Sequence, residues 1–330
     1  MMMTAARQRP MAVPPLKTAT VTVGLDVGGT KTEVLLVDED RRPLAQTQCP
    51  TDTTSPEGVM SSIVTVVNTA LEQAGIAPSR IGAIGIGVPG LVRPQDGTVQ
   101  LAANLNLREY ALAEAVTAVF PAPVILENDA RLATIGAYQY LRARQPIQHM
   151  AYLSIGTGIA AGVVLDGRLW RGTHGMAGEI GHIVVEPDGA MCACGQRGCL
   201  ETIASGPAVA GMAARLMRPN PVNNLTADAV YQATESGDSV AQTIIQRVSY
   251  YLSHTIQWLI MSYDVEKVVL GGGVAQSGPA FLDPILLELS RMRAESHLAE
   301  TMLGADKIML LPQGFNAGVW GAITLAQKGD

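Results

Sequence analysis

Charge is scarce in this chain, and so are aromatic rings. Only 16% of its 330 residues are charged and 4% are aromatic, with 23 Lys and Arg against 29 Asp and Glu. A net charge of −6, with no run of basic residues, excludes a surface built to hold nucleic acid. No stretch of about 18 or more apolar residues occurs, so no membrane-spanning helix is expected. Residues 1–19 hold Arg7, Arg9 and several prolines but no apolar run of about 7–15 residues, and so read as a flexible tail without a secretory core. Cysteine is rare too, at four residues. Three of them cluster, which in a cysteine-poor chain points to metal ligands in a reducing, cytoplasmic compartment. Cys49 stands alone and reads as an ordinary, partly buried thiol.

What the chain has is apolar surface: 48% of its residues are hydrophobic, enough to bury sizeable cores and to exclude a disordered chain. At about 100–200 residues per domain, the length favours two domains. Strands alternate with helices. Val21–Val27 is apolar, breaks at Gly28-Gly29 and resumes through Val34–Val37 to Asp38: strand, glycine turn, strand. Pro56 to Gln73 carries Val59, Ile63, Val66, Val67 and Leu71 at helical spacing, with Gly75 placed to end it. Ile81–Gly87 and Val124–Leu126 read as strands, the second feeding Glu127-Asn128-Asp129 and a helix over Ala130–Arg142. Beyond the cysteines, Ser239–Tyr263 lacks proline and glycine and reads as one long helix. Lys267–Leu270 and Ile308–Leu311 are further strands, and Ala317–Ala326 a closing helix.

One segment repeats another. With Gly28 set on Gly156, Leu25 meets Leu153, Val27 meets Ile155, Gly29 meets Thr157 and Asp38 meets Asp166. The match favours duplication over chance similarity of glycine-rich hairpins. Two similar α/β halves would then face each other across a cleft, a usual place for a ligand.

Asp26-Val-Gly28-Gly29-Thr30-Lys31 sets an acid, two glycines, a hydroxyl and an amine on one turn. Glycine lets backbone N–H groups approach phosphate oxygens. Thr30 and Lys31 could add donors, and Asp26 could position Mg2+; a plain hairpin with a solvated lysine is the alternative. Gly156-Thr157-Gly158 and Gly271-Gly272-Gly273 are two more such turns, and together the three favour a nucleotide gripped from several sides. Two look-alikes fail. Gly85-Ile-Gly87-Val-Pro-Gly90 has dinucleotide-fingerprint spacing, but Pro89 and Pro94 stop the helix whose N-terminus would hold the pyrophosphate. Gly24 to Lys31 ends Gly-Thr-Lys where a P-loop has Gly-Lys-Thr.

Asp129 sits where a strand gives way to a helix, a position that favours Asp as a cap and also lies at cleft edges. Asn128 offers an amide to orient a hydroxyl, and Asp129 a carboxylate to take its proton. His182 with Cys192, Cys194 and Cys199 matches the Cys3His ligand set of structural zinc, as against three buried thiols and a core histidine. Gly195 and Gly198 would supply the turns between the thiols. Glu179 and Glu201 flank the set, and Gly172, Gly175, Gly178 and Gly181 point to close packing around Glu179 and His182. A metal-pinned loop could aim both acids at a substrate.

Asp26-x-Gly-Gly-Thr-Lys31, Glu127-Asn-Asp-Ala130, Gly156-Thr-Gly158, Gly178-Glu-Ile-Gly-His182 and Cys192-x-Cys-Gly-x-x-Gly-Cys-x-Glu201 occur in that order. Together they resemble the ROK family (repressors, open reading frames, sugar kinases), especially its glucokinase and N-acetylhexosamine kinase members, from Val21 to Leu325. The resemblance implies an α/β, actin/hexokinase-like fold of duplicated, ribonuclease H-like domains with a cleft between them. Residues 20–128 would form the first, completed by the C-terminal helix at 315–330, and residues 129–314 the second, with a zinc loop at 182–201.

The implied activity is ATP-dependent phosphorylation of a hexose, usually at the 6-hydroxyl. Glucose is the first choice; N-acetylglucosamine, N-acetylmannosamine and fructose are alternatives, and a non-catalytic sugar sensor a remote one. By the same resemblance Asp129 is the general base and contacts the sugar together with Gly90, Asn104, Asn128, Glu179, His182 and Glu201. His182, Cys192, Cys194 and Cys199 would ligate zinc. Asp26, Gly28, Gly29, Thr30 and Lys31, with Gly156, Thr157, Gly158, Gly271, Gly272 and Gly273, would surround Mg-ATP. A homodimer or homotetramer is implied, with neither nucleic acid nor membrane as partner. The family's repressors carry an N-terminal helix-turn-helix, for which the roughly 20 residues before the first strand are too few in this acidic chain. Two departures stand out: Asn104-Leu-Asn-Leu-Arg-Glu-Tyr110 lacks the family's usual tryptophan, which bears on the sugar, and Ala160-Ala161 replaces glycine.

Overall fold

Two meanders of alternating apolar residues fold into two sheets of the same plan. The computed structural model describes residues 20–216 and 225–328, and the expected tail at 1–19 lies outside them. In the first sheet β1 (Val21–Val27), β2 (Lys31–Val37) and β3 (Pro43–Pro50) run antiparallel. Helix α1 (Pro56–Ala74) begins on a Ser55 cap, carries Pro56 in its first turn and stops at Gly75. It leads to β4 (Ile81–Val88), parallel to β1. A small antiparallel sheet follows, β5 (Leu91–Arg93), β6 (Thr98–Ala102) and β7 (Leu107–Tyr110). Helix α2 (Leu112–Val119) then enters β8 (Val124–Asn128), which completes the order β3-β2-β1-β4-β8. Strand β4 passes straight into the turn before β5, so the dinucleotide look-alike opens no helix.

Helix α3 (Asp129–Arg142) carries the chain to the second sheet, where β9 (Met150–Ile155), β10 (Ile159–Leu165) and β11 (Arg168–Trp170) form another meander. The cysteine segment is followed by α4 (Glu201–Ala204), α5 (Gly206–Leu216), α6 (Ala227–Glu235) and α7 (Ser239–Tyr263). Strand β12 (Lys267–Gly271) pairs parallel with β9. Helices α8 (Pro279–Glu295) and α9 (His297–Met302) precede β13 (Ile308–Leu310), giving the order β11-β10-β9-β12-β13. Both sheets thus share one strand order, as duplication requires.

Register corrects the residue-by-residue form of the repeat. Val27 pairs with Thr32 across residues 28–31, whereas Ile155 pairs with Ile159 across the shorter turn 156–158. The correspondence therefore slips by one residue at the turn, and Asp38 does not fall on Asp166.

Each sheet has its own core, including Leu25, Val34, Ile63, Val67, Ile84 and Leu126 in the first and Leu153, Ile155, Ile244, Val248, Leu252 and Phe281 in the second. Helix α10 (Ala317–Lys328) packs on the first sheet through Val319 and Ile323. Helix α3 meets the second, with Thr134 against Gly162. The two helices cross so closely that a Cβ at Gly136 would strike the Ala317 carbonyl, and one at Gly321 the Leu132 carbonyl. That crossing sets the starts of α3 and α10, and so Asp129 and Asn316, at the floor of one cleft. Among the described residues no helix is long and apolar enough to cross a membrane.

Candidate active site

Two cavities meet at Asp129. The larger, about 720 Å³, is lined by Asp26, Lys31, Glu33, Tyr152, Gln276 and Asn316 among others. The smaller, about 370 Å³, is lined by Gly90, Asn104, Asn128, Glu179, His182 and Glu201, the full set expected at a sugar besides Asp129 itself. Asp129, Ala130, Ser154, Gly272 and Gly273 belong to both. The expected nucleotide residues divide. Asp26 and Lys31 face the larger cavity, while Gly28, Gly29, Gly156, Thr157 and Gly158 roof the smaller one. Thr30 and Gly271 line neither, and Gly271 packs against the Tyr152 ring instead.

Asp129 Oδ1 accepts from the Ala130 N–H at 2.8 Å, in the first turn of α3. Burial, helped by the charge of Glu179, pushes its carboxyl above the usual range, against the pull of that N–H. Asp26 is raised to about 6, first by burial and then by the charge of Asp129. Asn316 opposes this, donating through Nδ2 to Asp26 Oδ2 at 3.3 Å. Asp26 and Asp129 line the same open cavity, and the charge of the second raises the first, so the pair forms a place where a divalent cation would be held.

Two side chains are more committed than their sequence suggests. Asn128 Oδ1 accepts from the Arg131 N–H at 3.2 Å and its Nδ2 donates to the Gly90 carbonyl at 3.0 Å. It caps α3 and hooks the Gly90 turn rather than offering a free amide. Lys31 Nζ donates to Glu33 Oε2 at 3.0 Å and Gln48 Oε1 at 2.9 Å, so the amine is tied into the sheet. Burial pushes Glu33 up, but Lys31, Gln46 and Asn316 outweigh it and leave its carboxyl below the usual range.

The cysteine segment folds back on the second hairpin. A short helical turn, Ile180–His182, carries Glu179 and His182 into the smaller cavity. Glu201, the first residue of α4, accepts through Oε2 from the Ile159 N–H at 2.9 Å. The donor atoms of His182, Cys192, Cys194 and Cys199 all lie within 4.8 Å of one another. His182 Nδ1 is 3.6 Å from Cys192 Sγ, and Cys194 Sγ is 3.6 Å from Cys199 Sγ. A tetrahedral ion with metal–sulfur bonds of about 2.3 Å and a metal–nitrogen bond of about 2.0 Å sets its donors roughly 3.5–3.8 Å apart, so these four residues could hold zinc. Gly195 (φ 92°) and Gly198 (φ 73°) make the turns between the thiols. Burial pushes the Cys199 thiol up to about 12, with Cys194 and Cys192 adding to it.

The ROK family pattern matches residues 22–329. The chain belongs to the ROK family. It is 32% identical over 323 residues to a glucokinase of Streptomyces coelicolor, covering 94% of this chain and 98% of that one. It is 31% identical over 255 residues to an N-acetylmannosamine kinase of Yersinia pestis, covering 76% and 82%. The crystal structure of a ROK family glucokinase from Streptomyces griseus in complex with glucose and AMPPNP matches with a TM-score of 0.78 at 31% identity, over 94% of this chain and 100% of that one. The α/β, actin/hexokinase-like duplicated fold implied by the motifs is the fold of this ROK chain.

Glu33, Tyr152, Gln276 and Asn316 line the larger cavity but belong to none of the ROK motifs. Asn316 had a readable signal: its Oδ1 accepts from the Gly318 and Val319 N–H groups, the cap expected of Asn before a helix. Tyr152 and Gln276 had none, because only the pairing of β9 with β12 brings them there.

Proposed function

We propose that this chain transfers the γ-phosphate of ATP to the 6-hydroxyl of glucose, with Asp129 as general base. It is an ATP-dependent sugar kinase of the ROK family; the sugar, the hydroxyl and the residue roles are the proposal. The observation that carries it is the place of Asp129, the one carboxylate among the described residues that line both cavities.

The smaller cavity would hold the sugar, gripped by Asn104, Glu179, His182 and Glu201. The nucleotide would lie along Gly272 and Gly273, which line both cavities, with its terminal phosphate under the Gly28-Gly29 and Gly156–Gly158 turns. Asp129 accepts the hydroxyl proton as the sugar oxygen bonds to phosphorus and the bond to the ADP oxygen breaks. Its raised pKa makes it a stronger base than an ordinary Asp. Backbone N–H groups of the glycine turns stabilise the charge on the phosphoryl oxygens. Mg2+ carried by the nucleotide would supply further charge neutralisation, with Asp26 as its anchor, directly or through water. His182 through Nδ1, with Cys192, Cys194 and Cys199, would fill all four positions on zinc, which makes that ion structural. The ring's Nε2 is then left for the sugar.

The two lobes, residues 20–128 with the helix at 315–330 and residues 129–314, would close over the sugar about the crossing of α3 and α10. A cytoplasmic homodimer or homotetramer belongs to the same reading. An N-acetylhexosamine is the second choice, on the likeness to the Yersinia pestis kinase. A panel of glucose, N-acetylglucosamine, N-acetylmannosamine and fructose with ATP, read as kcat/KM by coupled ADP release, tests the choice. Glucose should rank first; a higher value for any other sugar overturns the assignment.

A further inference from the structure

Glu127 has no part in the chemistry above, yet it is a fully buried carboxylate one residue before Asn128, at the end of β8. Its Oε1 accepts from the Asn128 N–H at 2.9 Å and from Arg131 Nη1 at 3.2 Å. Its Oε2 accepts from Arg171 Nε at 2.9 Å. Both oxygens are thus held by donors, two of them guanidinium groups, and charge-assisted bonds of this kind fix geometry well.

The two arginines lead in different directions. Arg131 lies in the first turn of α3 and lines the smaller cavity. Arg171 follows β11, the edge strand of the second sheet. The Arg171 carbonyl accepts from the Ala177 N–H at 3.2 Å, closing a loop that continues into Gly178 and Glu179. Gly178 is pinned in turn, its carbonyl accepting from the Ala161 N–H at 2.8 Å. One carboxylate therefore touches the Glu127–Asn128 peptide, one residue before Asp129, and the loop that delivers Glu179.

We propose that Glu127 is a positioning residue shared by these two acids: it fixes the approach to Asp129 and, through Arg171, sets Glu179 at the smaller cavity. The bond joins the first sheet to the second, so it registers the two walls of the cavity against each other. This inference rests on the sugar-kinase reading of that cavity.

Removing Glu127 would strand buried guanidinium charge and threaten folding. Arg171 is the better handle, since its side chain is 40% exposed. In the full chain, Arg171→Ala should raise the sugar KM by about 10-fold or more through misplacement of Glu179, with ATP KM near wild type and Tm lowered, since buried Glu127 then keeps only Arg131 as an ionic partner. Arg171→Lys, which keeps the cation, should recover most of the loss. Hydrogen exchange at the Ala177 amide should quicken in Arg171→Ala and return toward wild type in Arg171→Lys. A merely structural arginine would disturb both substrates alike.

An unchanged sugar KM together with unchanged exchange at Ala177 overturns the proposal, as does a failure of lysine to recover either. If the wild-type protein turns over none of the hexoses, the kinase reading falls instead, and the exchange rates alone decide whether Glu127 holds this loop through Arg171.

Discussion

Glu201 accepts a hydrogen bond from the Ile159 N–H at 2.9 Å, and this contact ties the cysteine loop to the turn of the second hairpin. The same carboxylate oxygen lies where a Cβ at Gly158 would intrude, so acid and glycine turn are fitted to each other. The loop proposed to grip the sugar and the turn proposed to face phosphate are therefore in direct contact. Glu201→Ala removes a bond to a charged acceptor, an interaction of about 1.5–3 kcal/mol. Steady-state kinetics should show sugar KM raised about 10-fold and ATP KM raised less, with Glu201→Gln in between.

Metal removal separates the two substrates in another way. His182, Cys192, Cys194 and Cys199 gather around one point beside the smaller cavity, away from Asp26 and Asn316. Dialysis against a chelator, or Cys199→Ser, should weaken sugar binding well before it weakens ATP binding. Calorimetric titration of each substrate against treated and untreated protein checks this; equal loss of both would count against it.

Asp26 provides a pH signature of the larger cavity. Its carboxyl is raised to about 6 by burial and by Asp129, so the folded protein binds that proton more tightly than the unfolded chain does. The charged form therefore costs stability, of order 2–3 kcal/mol. That cost is absent below about pH 4, grows between about pH 4 and 6, and is complete above. Without nucleotide, Asp26→Asn should raise Tm near neutral pH while activity collapses, and the gain should vanish by about pH 4 in calorimetric scans. A gain that is independent of pH would contradict a buried, charged Asp26 as its source.

Much of the fold was legible in the sequence wherever the physics is local. The β1–β2 and β9–β10 hairpins announce themselves by apolar runs broken at glycine, and α7 spans Ser239–Tyr263 because nothing in it interrupts a helix. The cysteine site was legible from ligand type and spacing, and the residues expected at the sugar do gather around one cavity. What escaped depends on distant pairing. Strand β3 alternates half-exposed polar residues on a sheet edge, and β5 to β7 are too short to show a period. Helix α8 contains Pro284, which reads as a break. Asn316 reaches Asp26 only because α10 returns to the first sheet, and Asn128 spends both ends of its amide on contacts that no motif reveals.

The crossing of α3 and α10 predicts an opposed pair of glycine variants. Gly321→Ala drives a methyl into the Leu132 carbonyl, whereas Gly211, in α5, has open space around its missing Cβ. Gly321→Ala should therefore destabilise by about 1–3 kcal/mol or more. Gly211→Ala should stabilise by about 0.4–1 kcal/mol. Urea denaturation of the two variants side by side checks both signs.

The place of Asp129 is tested most directly by the turnover number of Asp129→Asn with glucose and saturating Mg-ATP, followed by ADP release and by the appearance of sugar phosphate. Asn keeps the shape of the side chain and can still accept from the Ala130 N–H, but cannot take a proton. Loss of a general base at this position should lower kcat by about 10²–10⁴-fold, with glucose binding and Tm retained. A rate close to wild type would contradict the assignment of Asp129, and with it the claim that chemistry occurs where the two cavities meet.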